Sequence, residues 1–126
     1  MCFVQSNPNP KGARVGDCVI RAIAIATGSA WEKIYSEISA YGYMMCDMPS
    51  SNAVWGQYLK DHGHTRGMIP DSCPQDCYTI IDFCNDNPVG AFIVGTGEHV
   101  VAVIDGNYYD TWDSGNEVPI YYWRVQ

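Results

Sequence analysis

The amino-acid sequence predicts an α+β fold, and three observations carry that expectation. Up to about residue 86 the apolar residues recur at helical spacing, whereas from Gly90 onward they fall in short runs of strand type. Asp105-Gly106, between two such runs, is a strong two-residue hairpin signal. The segment Cys18–Thr27 is apolar on nearly every face, as a buried central helix must be. Helices first and an antiparallel meander second give a buried N-terminal helix, carrying a cysteine, packed on a C-terminal antiparallel sheet. With 126 residues, 47% hydrophobic and 17% charged, residues 1–126 read as a single domain whose core needs no disulfides.

Asn7-Pro8-Asn9-Pro10-Lys11-Gly12 is turn and extended material, because proline fixes φ and biases the preceding residue away from the helix. Asp17 is placed to cap the first helix, Cys18–Thr27, and Gly28 stops it. Ser29-Ala30-Trp31-Glu32 has the form of a capping box. Trp31, Ile34, Tyr35 and Ile38 follow at i, i+3, i+4 and i+7, which predicts a second helix to about Ala40. Val54, Trp55, Tyr58 and Leu59 place a third helix from about Ser51 to Asp61, with Gly63 ending it. A short fourth starts at Thr79 and breaks at Asn87-Pro88. Strands are expected at Ala91–Val94, His99–Ile104, Asn107–Trp112 and Pro119–Trp123.

Fourteen Asp plus Glu against seven Lys plus Arg give a net charge of −7 with no basic cluster, which argues against nucleic acid and against an anionic membrane surface. No apolar run is long enough to span a bilayer, and the stretch from Met1 to Pro8 has neither a basic nor an apolar region of signal-peptide type. The expected location is therefore the cytoplasm. In a reducing compartment all six cysteines should be free, with no disulfide among Cys2, Cys46, Cys73, Cys77 and Cys84.

Cys18 is the first residue of a helix, where unpaired N–H groups and the helix dipole favour negative charge. A thiol there is readily acidified, and the thiolate is the nucleophile; the alternative is a small hydrophobe opening a core helix. Of the three histidines, His62 and His64 flank a helix end and read as solvated. His99 opens an apolar strand after Gly95-Thr96-Gly97, so its ring either serves as the base at the sheet edge or faces water there. A two-residue turn at Asp105-Gly106 pairs Ile104 with Asn107 and sets Asp110 opposite Val101, one diagonal step from His99. Trp112 covers the same face. A three-residue loop would set Asp113 opposite His99, so Asp110 is the preferred third member and Asp113 the second candidate. Arg21, one turn after Cys18 on its face, is a candidate for binding a substrate carboxylate, or it pairs with an acid such as Asp17. Trp112 is the other substrate-binding candidate.

The expected activity is hydrolysis of an amide or isopeptide bond in a peptide or protein by a Cys18-His99-Asp110 triad, with no cofactor and no metal. Acyl transfer to an amine, as in transglutaminases, is the alternative within that chemistry. A catalytically silent binding module is the alternative outside it. Zinc binding by Cys73, Cys77, Cys84 and His62-Gly63-His64 is weaker, because the spacing is irregular. Gly95-Thr96-Gly97 leads into a strand, which is wrong for a phosphate loop.

Gly16-Asp17-Cys18 at the head of a buried helix, followed downstream by His99-Val100-Val101-Ala102-Val103, a hairpin and Asp110-Thr111-Trp112-Asp113, resembles the papain-like cysteine peptidase superfamily. The likeness is to its small members, the NlpC/P60-like and C39-like peptidases, including peptidase-like proteins of phages and gut bacteria, and covers about residues 9–123. The resemblance implies a papain-like fold and a Cys18–His99 dyad with an acidic or amide third group. Papain- and C39-type enzymes carry a glutamine six residues before the nucleophile, whose amide helps to form the oxyanion hole; here that residue is Gly12. The Cys18 backbone N–H and the Asn9 side chain are the remaining donors, ahead of Gln5 and Asn7. Losing one such donor costs roughly 10²–10³ in rate, and this weak equipment is what favours the silent module.

Overall fold

The computed structural model describes residues 2–126; Met1, with which the N-terminal reading began, lies outside them. The elements run β1 (Phe3–Gln5), α1 (Cys18–Thr27), α2 (Trp31–Met45), α3 (Asn52–Asp61), β2 (Thr65–Met68), α4 (Ile80–Asp86), β3 (Ala91–Gly95), β4 (Val100–Ile104), β5 (Asn107–Asp110) and β6 (Tyr121–Val125). Six strands form one sheet in the order β1-β5-β4-β3-β6-β2, with β1 parallel to β5 and the other neighbours antiparallel.

The class is α+β, as expected, but the sheet is mixed rather than a plain antiparallel meander. Only β3, β4 and β5 form the meander; β6 returns to the far side of β3, and two strands come from the helical part of the chain. Neither added strand has an apolar alternation to announce it. Thr65–Met68 is an exposed edge, and Phe3–Gln5 is three residues long and pairs with the opposite end of the chain.

Alternate strand residues serve two cores, as the pleat requires. Ile93, Val100, Ala102, Tyr121 and Trp123 pack with α1, α2 and α3. Phe92, Val94, Val101, Val103 and Tyr108 pack with α4. The hairpin register is the expected one: Ile104 pairs with Asn107, and Asp105 and Gly106 take φ of 50° and 79°, as a two-residue primed turn demands.

Several local expectations are corrected. Helix α2 runs past Ala40 to Met45; Gly42 lies buried within it, and a Cβ there would stand 2.9 Å from the Asp47 carbonyl oxygen, so the chain folds back over that glycine. The Ser29–Glu32 capping box does not form, since the N-cap is Ala30 with no side-chain bond; the capping box belongs to α4, between Thr79 and Asp82. Asp17 is the N-cap residue of α1, but its carboxylate turns away from the helix N–H groups to other partners. Strand β4 begins at Val100, leaving His99 just outside it, and β5 stops at Asp110. Cys73 and Cys77 form a disulfide, so the expected six free thiols become four: Cys2, Cys18, Cys46 and Cys84. An argument from compartment is blind to the tight turn that brings the two Cα atoms to 4.5 Å, within disulfide reach. Among the described residues no helix is long and apolar enough to cross a membrane.

Candidate active site

Three chain segments meet at one end of the sheet: the start of α1, the turn before β4 and the end of β5. The turn before β4 is fixed by Thr96, whose N–H donates to the His99 carbonyl (2.8 Å) and whose Oγ1 accepts from the His99 N–H (3.2 Å). His99 thus stands past the last β3–β4 rung, Gly95–Val100, where its ring is free of the pleat and reaches Cys18 at the head of α1.

His99 Nε2 lies 2.5 Å from Asp110 Oδ2, which leaves Nδ1 as the nitrogen for Cys18. Asp110 is buried and its position is over-determined: Oδ2 also accepts from Ser114 Oγ (2.7 Å), and Oδ1 accepts from the Thr111 N–H (2.7 Å). The Trp112 ring lies 5.0 Å from the imidazole at 34° and shields it, while remaining 44% exposed. Asp113, the second candidate, does not face His99. It accepts from Tyr108 Oη (2.6 Å) and the Gly115 N–H (3.1 Å), closing the turn after β5.

Burial opposes charge on the Cys18 thiol, but the hydrogen bond to His99, a bond from the Val100 N–H and the charges of His99 and Arg21 outweigh it and hold the thiol below its ordinary value. Burial likewise opposes the imidazolium, yet the bonds to Asp110 and Cys18 raise His99 to about 9. Asp110 is lowered: burial works against the carboxylate, and the bonds from His99, Ser114 and Thr111 overcome it. All three shifts favour the charged forms of Cys18, His99 and Asp110.

Of the two roles open to Arg21, the structure shows the ion pair with Asp17. Arg21 is 6% exposed, its Nη1 bonds Asp17 Oδ1, and its Nη2 lies 3.6 Å from Asp110 Oδ1. The Asn9 amide donates to Asp17 Oδ2 (3.3 Å), and its Oδ1 accepts from the Lys11 and Ala13 N–H groups. Asn9 lines the same cleft as Cys18 and has one amide proton not engaged by Asp17. Asn7, whose amide donates to the Ala13 carbonyl, does not line the cleft, and Gln5 is an exposed residue of β1. Two contributors are absent from the sequence-based site: Ser114, legible only as part of a turn, and Trp31, whose Nε1 donates to Asp17 Oδ2 (3.0 Å) although its helical spacing marks it merely as apolar.

Cys18 and His99 stand in the wall of a cleft of about 930 Å³, whose apolar lining includes Val15, Val19, Trp31, Tyr35, Met48 and Tyr121. A smaller hollow of about 490 Å³ lies beyond the imidazole, between Trp112, Glu98, Glu117 and Val118. Among the described residues no group of three or more His, Cys, Asp or Glu could hold a metal ion, and the sulfurs of Cys73 and Cys77 are consumed by their disulfide. Compared with protein-family models, curated proteins and solved structures, the chain matches none. The chemistry therefore rests on geometry: an acidified thiol at a helix N-terminus, an imidazole in contact with it, and a buried carboxylate behind the imidazole suit nucleophilic attack with proton transfer.

Proposed function

We propose that the protein is a thiol hydrolase that cleaves an amide or isopeptide bond in a peptide or protein. The observation that carries this reading is the His99–Asp110 pair, 2.5 Å apart, with His99 and Cys18 together in the wall of an open cleft. The sequence likeness to papain-like peptidases agrees with it, and assignment of the α+β fold to the papain-like kind, NlpC/P60 or C39, belongs to the same proposal. Cys18 Sγ attacks the substrate carbonyl carbon, and the carbonyl electrons move onto oxygen. The Cys18 N–H, unpaired at the first turn of α1, and the remaining Asn9 amide proton stabilise that oxyanion. As the C–N bond breaks, the His99 imidazolium gives its proton to the leaving nitrogen, and a thioester remains. His99 then takes a proton from water, the hydroxide displaces Cys18, and the thiolate–imidazolium pair is restored with release of the acid. Asp110 holds the ring orientation and stabilises its charged form throughout.

Gly12, standing where a second oxyanion donor is found in papain- and C39-type enzymes, favours one other reading, a binding module that keeps the cleft without turnover. Transfer of the acyl group to an amine instead of water is the same chemistry with a different acceptor. Competitive alkylation by iodoacetamide at pH 6, followed by peptide mapping, tests the nucleophile. Cys18 should be modified at least tenfold faster than the exposed Cys2 and Cys46. Equal rates would count against the hydrolase.

A further inference from the structure

Arg21 is a charge in a helix whose other buried positions are Ile20, Ala22, Ile23, Ala24 and Ala26. A buried guanidinium persists only where partners replace its water, and Arg21 has two, on different elements. Asp17, four residues earlier, completes a helical ion pair and would suffice for a role confined to α1. The second arm crosses from α1 to the end of β5 and faces Asp110 on Oδ1, the oxygen that His99 does not use. Both partners lead back to the reacting pair. Asp110 holds His99, while Asp17 is covalently joined to Cys18 and holds the Trp31 indole and the Asn9 amide through Oδ2. Cys18, Asp17, Arg21, Asp110 and His99 thus close a ring, and around it thiolate, carboxylate and cation are arranged so that each cation lies between anions.

We infer that Arg21 is a positioning residue, which locks the nucleophile helix to the His99–Asp110 pair and so holds Cys18 and His99 in register. The inference rests on the hydrolase reading only in treating Cys18 and His99 as the reacting pair. The charged and titratable groups that face this pair are Asp17 and Arg21 from α1, Glu98 from the turn before β4, and Asp110 from β5. Tyr121 from β6, Tyr35 from α2 and Lys11 from the N-terminal loop complete the set at the cleft wall. Among them Arg21 alone touches both carboxylates.

The test is the pH profile of Cys18 alkylation by iodoacetamide in the full chain, for wild type, Arg21→Lys and Arg21→Met. Arg21→Met should slow alkylation at pH 6 about tenfold and move the lower inflection up by about one pH unit. Arg21→Lys keeps the charge but not the two-armed reach, and should fall between, about threefold slower. Arg21→Met leaves buried Asp17 without a counter-charge and Asp110 with His99 alone; if it does not fold, Asp17→Asn/Arg21→Met, which removes one charge of each sign, carries the same expectation. A folded variant without the guanidinium whose profile matches wild type within twofold overturns the inference, and so does an Arg21→Lys profile identical to wild type. If wild-type Cys18 is no more reactive than Cys46, the hydrolase reading fails and this inference with it. If Cys18 is reactive and indifferent to Arg21, only the inference fails.

Discussion

Cys18 and Cys84 lie on helices packed against opposite faces of one sheet, and the two thiols are driven in opposite directions. Cys84 sits inside α4 among Ile80, Phe83 and Val103, 1% exposed, and burial pushes its thiol up to about 11. Cys18 is also partly buried, yet its thiol is held below the ordinary value by His99, the Val100 N–H and Arg21. The difference extends to the surroundings. The buried charged residues among the described residues, Asp17, Arg21 and Asp110, all belong to the Cys18 end of the molecule, and the buried Ser114 donates to one of them. Burial alone makes a cysteine inert; a helix start, an imidazole and a network of paired charges make one reactive.

Replacing each thiol should separate the two regions most sharply. Cys18→Ala is expected to abolish turnover of any substrate the wild type cleaves, with little change in melting temperature, because a sulfur at a helix start leaves little cavity. Cys84→Ala should leave turnover intact and lower stability by about 1–2 kcal/mol through lost core packing. Full activity in Cys18→Ala would dissolve the contrast.

The next largest effect belongs to the carboxylates at and just after the end of β5. Asp110→Asn should depress kcat by about two orders of magnitude or more, because the ring loses both its orientation and its charge partner. Asp113→Asn should change kcat less than tenfold and cost about 1 kcal/mol of stability, since Asp113 accepts from Tyr108 and Gly115 rather than from His99. Steady-state kinetics beside thermal melts distinguish the two.

The pH dependence follows from the directions of the shifts. Acylation needs the thiolate and the imidazolium together. Because His99 is raised to about 9, kcat/KM should fall as pH rises through that value and the ring loses its proton. Because the Cys18 thiol is lowered, activity should extend below the pH at which an ordinary thiol ionises and fall as pH drops through that lowered value. A profile rising monotonically through pH 9, as for a free thiol, would contradict the pairing.

The smallest expected effect concerns the remaining cysteines. Unreduced protein should weigh two protons less than the six-thiol chain and show four alkylatable thiols once unfolded in denaturant. Reduction of Cys73–Cys77 should leave turnover unchanged, because neither residue lines the cleft.

What could be read in advance follows from where the signals are local. Helix α1 is legible because a run that is apolar on nearly every face ends at Gly28, and the β4–β5 register is legible because Asp105-Gly106 favours a two-residue primed turn. His99 and Asp110 follow from that register. Long-range pairings leave no such trace: β1 joins β5 from the far end of the chain, and β2 is a polar edge. Arg21 shows on sequence only that a buried cation needs a partner; that it has two, one of them Asp110, depends on how α1 packs against the end of β5. Ser114 and the Cys73–Cys77 bridge likewise depend on the closing of particular turns.

The central claim, that Cys18 forms an acyl intermediate assisted by His99, is tested most directly by trapping that intermediate. Wild type, Cys18→Ala and His99→Ala are incubated with an activated peptidyl ester probe, quenched in acid, and mapped by mass spectrometry. The account predicts a thioester on Cys18 in wild type, none at any residue of Cys18→Ala, and accumulation at least a hundredfold slower in His99→Ala, in line with the roughly 10²–10⁴-fold worth of a general base. Acylation at another cysteine, or at Cys18 with equal speed in the absence of His99, would contradict it.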